Sequence, residues 1–376
     1  MLTYCTIRKL LLFLMLLSFA IIQQACIPNI QRSETNIGGR LLLIGERRGT
    51  ANGVPKIFEL VLGTEILQPL WMDVPVGRLD RRTVLSPDNR YAVLWAGGTE
   101  SLDLTTGAFN PISVPGGATH PTFSPNGDYL AYVVRGDLIS KNLGSDEAEV
   151  VFVAPCEEYT LGGPGITYCG SIGQPVWIDE TTLAFDAFVG AMPSTITGST
   201  DPKLDPNHAL VVTVDGELIH EFDQALGIFE GKGPTIIVEQ GDGWAWLEAS
   251  ALARGIFQPN PLNSSGYRPL LSPDGELLIV DFEPTKRGKQ QLVELRTGMT
   301  KTITEIHIGQ NVAWSPDGYF IATLFGLDNE RKLQIVSLED GSEILMLEMD
   351  EIPVAGDDTT PRIQELYRWM LLAWLP

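Results

Sequence analysis

Trp314-Ser315-Pro316-Asp317-Gly318, followed at once by Tyr319-Phe320-Ile321-Ala322-Thr323, is the stretch on which the fold is decided. Proline presets φ for the first central position of a tight turn, aspartate tolerates the second, and glycine takes the left-handed residue that returns the chain to a ladder. A short apolar run behind such a turn reads as a buried strand leaving a hairpin. The pattern recurs at Leu85-Ser86-Pro87-Asp88-Asn89, Phe123-Ser124-Pro125-Asn126-Gly127 and Leu271-Ser272-Pro273-Asp274-Gly275, each ahead of another apolar strand. Asn89 fits the glycine position, because asparagine enters the left-handed region more readily than most side chains.

A second marker comes from the turn between the third and fourth strands of each repeat, where strands such as 333–338 run into a glycine. Such glycines stand at Gly63, Gly107, Gly144, Gly216, Gly255, Gly298 and Gly341, spaced by 44, 37, 72, 39, 43 and 43 residues. Only the 72 is out of line, and it contains Cys156, Cys169 and a polar stretch at 190–207. Periods of this length mark a repeat architecture, and seven glycines imply seven units. Trp177-Ile178-Asp179-Glu180 is a degenerate copy of the first turn. One more turn is hidden near Phe229, beside Gly231 and Gly233, so six units stand as the alternative to seven.

These turns resemble the repeat of TolB-type β-propellers, in which an apolar or aromatic residue plus Ser-Pro-Asp-Gly joins the first and second strands of each blade. The resemblance implies an all-β ring of four-stranded antiparallel blades and envelope protein interactions, and it covers the repeats only. Segments 40–45, 57–62 and 66–70 read as second, third and fourth strands, so the first blade lacks a first strand at the N-terminal end. Leu371-Leu372-Ala373-Trp374-Leu375-Pro376 resembles Val312-Ala313-Trp314-Ser315-Pro316, which predicts that the C-terminal strand completes the first blade and removes an open edge.

Ahead of the repeats, Arg8-Lys9 and an apolar run at 10–22 form the charged and hydrophobic regions of a secretory signal. Thirteen residues at about 1.5 Å each are too few to span a bilayer. The run ends in Gln23-Gln24-Ala25-Cys26, which resembles the lipobox of bacterial lipoproteins, with Gln23 where that family places Leu, Val or Ile. The resemblance implies acylation of Cys26; an ordinary cleaved signal is the alternative, with a secreted or periplasmic product. The expected organisation is a signal peptide at 1–25, a lipid-attachment site and linker at 26–38, and a propeller at 39–376. Cys156 and Cys169, thirteen residues apart, suit a disulfide in an oxidising compartment, against a zinc site for which no other ligands stand nearby.

The chain carries 47 acidic and 26 basic residues, a formal charge of −21, which repels phosphate backbones and argues against nucleic-acid partners. In a four-stranded blade the first and third turns open on one face, and the middle turns and inter-blade connections on the other. All the long insertions, 71–83, 154–174, 190–207 and 350–365, fall on the second face, where binding by a rigid scaffold is expected. Candidate binding residues there are Glu157, Glu158, Tyr159, Tyr168, Asp357 and Asp358; solvated surface is the competing account of the carboxylates. Motifs for a serine elbow, a zinc-protease helix or a phosphate loop do not occur, and neither a cofactor nor a metal site is expected. His120, His208, His220 and His307 are scattered and read as strand or turn residues, and Trp244 and Trp246 as inter-sheet packing. Two functions stay open: a membrane-anchored module binding a protein, peptide or glycan, and a propeller enzyme acting on glycans through carboxylates at the central channel.

Overall fold

The computed structural model describes residues 39–376 except 48–55, 65, 72–81, 96–98, 155, 160–165, 170, 189–206, 223–226, 241–242, 263–268, 282–288, 305–311, 326–330, 350–351 and 353–366. The described residues form seven antiparallel blades and one separate hairpin. In blade two the fourth strand is reduced to the single bridge Leu102↔Phe109. The first strands are Arg82–Leu85, Thr119–Phe123, the pair Ser171–Ile172 and Val176–Trp177, Gly227–Lys232, Leu270–Leu271 and Val312–Trp314 for blades two to seven. The first strand of blade one is the C-terminal segment Tyr367–Leu375. First strands of blades one and two, two and three, three and four, four and five, five and six, and seven and one lie side by side, so they surround a common axis.

Four of the first turns are held by the same clasp. The Ser315 hydroxyl donates to Asp317 at 2.5 Å and accepts the Phe320 N–H at 2.9 Å, and the Tyr319 N–H donates to the same carboxylate at 3.1 Å. Ser86 with Asp88, Ser124 with Asn126 and Ser272 with Asp274 repeat it. All four serines are buried, so removing one hydroxyl would strand a strand-end N–H at a cost of about 1–3 kcal/mol. Asn89 stands at φ 56° where Gly127, Gly275 and Gly318 stand at 75–78°, as the turn requires. Blade five does without the clasp: its first strand contains Phe229, and the hidden turn is Gly233-Pro234, with Lys232 paired to Thr235.

The third turns follow the expected glycines with one difference. Gly63, Gly107, Gly216, Gly255, Gly298 and Gly341 have positive φ, but in blade three the left-handed residue is Asp146, not Gly144. Asn142 there accepts the N–H groups of Gly144 and Ser145 and rebuilds the turn around its side chain. In blade five the third connection includes a short helix, Ala249–Ala253, ahead of Gly255.

Blades bury both faces against their neighbours. Leu183, Phe185 and Leu210 of blade four pack on Ala131, Val133 and Leu138 of blade three, while Ala184, Ala209 and Val211 pack on Ile228, Ile236 and Val238 of blade five. Successive residues of one strand thus serve two cores, as the period of two demands. Trp244 and Trp246 pack across from blade five to Leu271 and Leu278 of blade six, in line with the reading of their alternation.

The ring closes as expected. The C-terminal strand pairs with Arg40–Arg47 over its length, with Trp374 opposite Leu41 and Leu375 opposite Arg40. Trp374 is 4 % exposed and stacks on Phe320 of blade seven at 6.4 Å between centroids. Gly39 is moulded to it, since a Cβ there would lie 2.6 Å from the Trp374 indole nitrogen and from the Leu375 carbonyl. Truncating such a residue typically removes about 3–5 kcal/mol. Trp374→Ala should therefore lower the thermal midpoint by several degrees, and deletion from Trp369 onward should give aggregating protein. Calorimetry showing an unchanged midpoint in the deletion would contradict closure by this strand.

Candidate functional site: a bulged arc of the channel wall

The clasp residues Ser86, Pro87, Asp88, Ser124, Pro125, Asn126, Gly127, Ser272, Pro273, Asp274, Gly275, Ser315, Pro316, Asp317 and Gly318 all stand at first turns. Their polar side chains are spent on hydrogen bonds within the turns, so they are structural. A cavity of about 270 Å³ between the turns of blades two and three is lined by Ser86, Asp88, Tyr91, Asn126, Asp128 and Asp146. Several of these oxygens are already engaged: Asp88 by Ser86, Asn126 by Ser124, Asp128 by the Asn126 amide and Asp146 by Lys141. It is also smaller than ordinary ligand sites.

On the opposite face, Cys156–Tyr159 and Ile166–Cys169 form an antiparallel hairpin between blades three and four, with Cys156 directly opposite Cys169, Glu157 opposite Tyr168 and Glu158 opposite Thr167. Cross-strand partners have Cα separations within the range a disulfide spans. Cys26, Asp357, Asp358, His307 and most of the insertions 71–83, 190–207 and 350–365 lie outside the described residues. The His220 Nε2–H donates to the Ala253 carbonyl, 3.1 Å away, and His208 lies 2.9 Å from Glu221. Both act as packing residues of blade four.

The inner strands carry the feature that the sequence reading missed. Counted from the first turn, the first two rungs of blade three are Phe123↔Leu130 and Thr122↔Ala131, and pairing resumes at Thr119↔Val133. His120 and Pro121 therefore share the third rung, opposite Tyr132. Blade four repeats this: Trp177↔Leu183, Val176↔Ala184, then Gln174 and Pro175 opposite Phe185, with the Gly173 N–H on the Asp186 carbonyl at 2.9 Å. In blade five the pairing jumps from Glu230↔Ile237 to Ile228↔Val238, leaving Phe229 extra beside the same rung. Three consecutive blades thus bulge at one level of the channel wall, near its loop-rich mouth. A bulge releases a residue from strand alternation and re-aims it, and bulges gather beside functional sites. His120 has φ 54°, a strained conformation for a side chain of its size.

Asp186 stands behind this arc on the second strand of blade four. Its carboxylate presses on the backbone of Gly173, where a Cβ would lie 2.1 Å from Oδ1. It accepts the N–H of Ile228, on the first strand of blade five. One partly buried side chain therefore ties the bulge of blade four to that of blade five. Its Oδ1 is sealed from solvent with no hydrogen-bond partner among the described residues. Burial pushes its carboxyl from 3.8 up to about 6, against the lowering effect of the N–H groups of Asp186 and Ile228. Among the described residues no three His, Cys, Asp or Glu side chains converge as a metal site would require. The available signal for the arc was the recurrence of His120-Pro121 and Gln174-Pro175 at the same distance from their first turns.

No protein-family model matches the chain. No curated protein matches it either. Solved structures do: an oligogalacturonate lyase in complex with manganese is 16 % identical, with 81 % of this chain and 84 % of that one covered and a TM-score of 0.53. A protein from Lactobacillus plantarum is 12 % identical over 90 % and 99 % of the two chains, TM-score 0.53. TolB from Acinetobacter baumannii is also similar, 13 % identical over 90 % and 67 %, TM-score 0.43. Identities this low establish the fold alone: the chain is a seven-bladed β-propeller.

Asp186 makes the site sensitive to pH. Its folded value is raised above 3.8, so the contribution of its protonated form is fully present below 3.8 and is lost as pH rises through about 6. Two pH units correspond to about 3 kcal/mol. Asp186→Asn should be more stable than wild type at pH 7, with the gap closing on acidification. Urea unfolding of both proteins at pH 7 and near pH 4 reads this directly; a gap independent of pH would contradict it.

Proposed function

We propose that the chain is an extracytoplasmic, membrane-anchored propeller that binds a protein, peptide or glycan partner at its loop-rich face and channel mouth. The observation that carries the reading is the set of third-rung bulges in blades three to five, on the face where the hairpin also emerges. A rigid ring whose opposite face is occupied by saturated turns has one face left for recognition.

A second reading, a propeller enzyme acting on envelope or extracellular glycans, is favoured by one observation, the carboxyl of Asp186 raised to about 6 near the channel. An oligogalacturonate lyase shares the fold. The geometry favours binding over catalysis, because the Asp186 carboxylate is turned to the Ile228 N–H and lies behind the Gly173 backbone rather than in the channel.

The anchor in this reading is Cys26, acylated after removal of the signal ending at Ala25. Cys26→Ser should release the protein from membranes with its fold intact; retention after an alkaline wash would sink the lipid anchor and leave a secreted or periplasmic protein. The second element is a bridge between Cys156 and Cys169, which stand opposite each other in the hairpin. It would stiffen the hairpin that carries Glu157, Glu158, Tyr159 and Tyr168. Thiol titration of unreduced, unfolded protein should find both cysteines blocked, and two reactive thiols would overturn the bridge.

Partner binding is tested by capture from envelope extract with full-length protein. Glu157→Lys combined with Glu158→Lys, on the loop-rich face, should weaken capture. Arg296→Glu, at a third turn where Arg296 pairs with Glu276 at 2.7 Å, should leave it unchanged. The opposite pattern would place recognition on the tight-turn face.

A further inference from the structure

Blade three turns one side of its sheet to blade four, and that side changes character along its length. Val133 and Leu138, opposite each other, belong to the apolar core between the two blades. Toward the third turn, the next rung on this side sets Ser140 between Ala131 and Glu149, and the one after it sets Tyr129 opposite Asn142. The Asn142 N–H donates to the Glu147 carbonyl at 2.8 Å, which holds Glu147 in the ladder on the same side as Glu149. The third turn of blade four rests against the outer strand of blade three at Gly216, where a Cβ would lie 2.9 Å from the Val151 carbonyl. That approach brings Val214 and Asp215 over the small residues of the polar rungs and leaves a pocket of about 140 Å³.

The pocket has a buried polar floor and an acidic rim. Ser140 lines it at 4 % exposure, and its Oγ has no hydrogen-bond partner among the described residues. A native fold rarely leaves a buried hydroxyl unanswered. Glu147, Glu149 and Asp215 line it as exposed residues, and none of its lining residues is basic. Glu147 accepts the Ser145 hydroxyl at 3.3 Å. The carboxylates of Glu149 and Asp215 have no partner among the described residues. The larger cavity between blades two and three differs on this point, since Lys141 answers Asp146 there.

We propose that this pocket binds a primary ammonium on a short aliphatic stem, with Ser140 Oγ and the Glu149 carboxylate as acceptors, Asp215 and Glu147 as further anions, and Tyr129 and Val214 as walls for the stem. An ammonium carries three N–H donors and no acceptor, which matches a set of lone pairs without a single competing cation. The volume of about 140 Å³ equals roughly four to five waters at about 30 Å³ each. It is far below what a drug-sized ligand needs, and it holds a small amine or the end of a lysine side chain. Among the described residues no three His, Cys, Asp or Glu converge as a metal site requires, so the carboxylates surround a cation with spread donors rather than a point ion. The pocket lies between third turns, outside the ring of clasps, and its ligand is independent of the partner at the loop-rich face.

The test is isothermal titration of full-length protein in detergent with n-butylammonium, and with tetramethylammonium, a cation of equal charge without N–H donors, at equal ionic strength. One saturable site is expected for n-butylammonium, with tetramethylammonium at least about tenfold weaker, because one charge-assisted hydrogen bond is worth about that factor. Ser140→Ala should weaken n-butylammonium about tenfold, and the free variant should melt no earlier than wild type, because the lost hydroxyl has no partner. Glu149→Gln combined with Asp215→Asn should weaken binding several-fold and reduce its salt dependence. Glu339→Gln removes an exposed acid at the third turn of blade seven and should change nothing. Nα-acetyl-lysine methylamide identifies the source: binding like that of n-butylammonium assigns the pocket to a lysine side chain as well, and exclusion assigns it to free amines. Calcium bound more tightly than n-butylammonium, equal binding of tetramethylammonium, or unchanged affinity in the Ser140 and the Glu149/Asp215 variants would each overturn the proposal. Where Ser140→Ala fails to fold by circular dichroism, the two exposed rim substitutions give the reading. Loss of amine binding alone leaves the loop-rich face as the partner site, since the Glu157 and Glu158 variants test that separately.

Discussion

A propeller blade is apolar on both faces, and nothing in it is stable until each face has a neighbour. Phe185 and Ala184 sit side by side on one strand and serve different cores, so every blade depends on the next one around the ring. The pairing of Tyr367–Leu375 with Arg40–Arg47 is the constraint that makes this possible. It brings the two ends of the propeller into one sheet and seats Trp374 between blades one and seven. Ile44 and Ile57 of blade one pack on Ala92 and Leu102 of blade two, a contact that holds its place only while blade one is complete. Without that pairing, blade one loses its inner strand and both neighbouring cores open.

The two faces of the ring are chemically unlike for a reason that begins in the turns. A tight turn in which a buried serine, an aspartate and two backbone N–H groups satisfy one another leaves few lone pairs or donors for anything else. Four such clasps make one face a rigid, polar and occupied surface. The other face receives the inter-blade connections and middle turns, whose lengths the clasp does not restrict. Long insertions collect there because they disturb neither the clasp nor the inter-blade cores.

Legibility in the sequence follows the range of the interaction. The clasp is local, so Ser-Pro-Asp-Gly and its Asn89 variant could be read residue by residue. The closing strand was legible because Trp374 and Pro376 copy the pattern around Trp314 and Pro316. Blade five was harder, since Gly233-Pro234 turns the chain without a serine, and blade three replaced a glycine with Asp146 in the left-handed position. The bulges were illegible for a different reason. A bulge is a mismatch between two strands, and it appears only when His120, Gln174 and Phe229 are set against the rungs of Tyr132, Phe185 and Ile237. Asp186 was invisible for the same cause: in sequence it is one more acid among 47, and only the approach of Gly173 and Ile228 makes it a link between blades.

Sevenfold architecture gives every blade an equivalent inner strand, yet the ring is not used evenly. Blades two and seven keep regular first strands, as Arg82↔Trp95 and Val312↔Thr323 show. In blade one the extra residue is Leu372 of the closing strand, between the rungs Leu42↔Ala373 and Leu43↔Leu371. Blades three to five place a histidine, a glutamine and a phenylalanine at their bulges, and the extra hairpin leaves the ring between two of these same blades. Closure and the irregular arc therefore lie in different sectors. Where the ring is sealed, Leu371, Ala373, Trp374 and Leu375 of the closing strand are buried. The sector on the far side can hold polar and strained residues, because its blades are already fixed by neighbours on both faces. His120 keeps φ at 54° on the strength of that support, and Asp186 keeps a carboxylate oxygen with no hydrogen-bond partner among the described residues for the same reason. The stability of the closed ring is what permits the irregular arc on its wall.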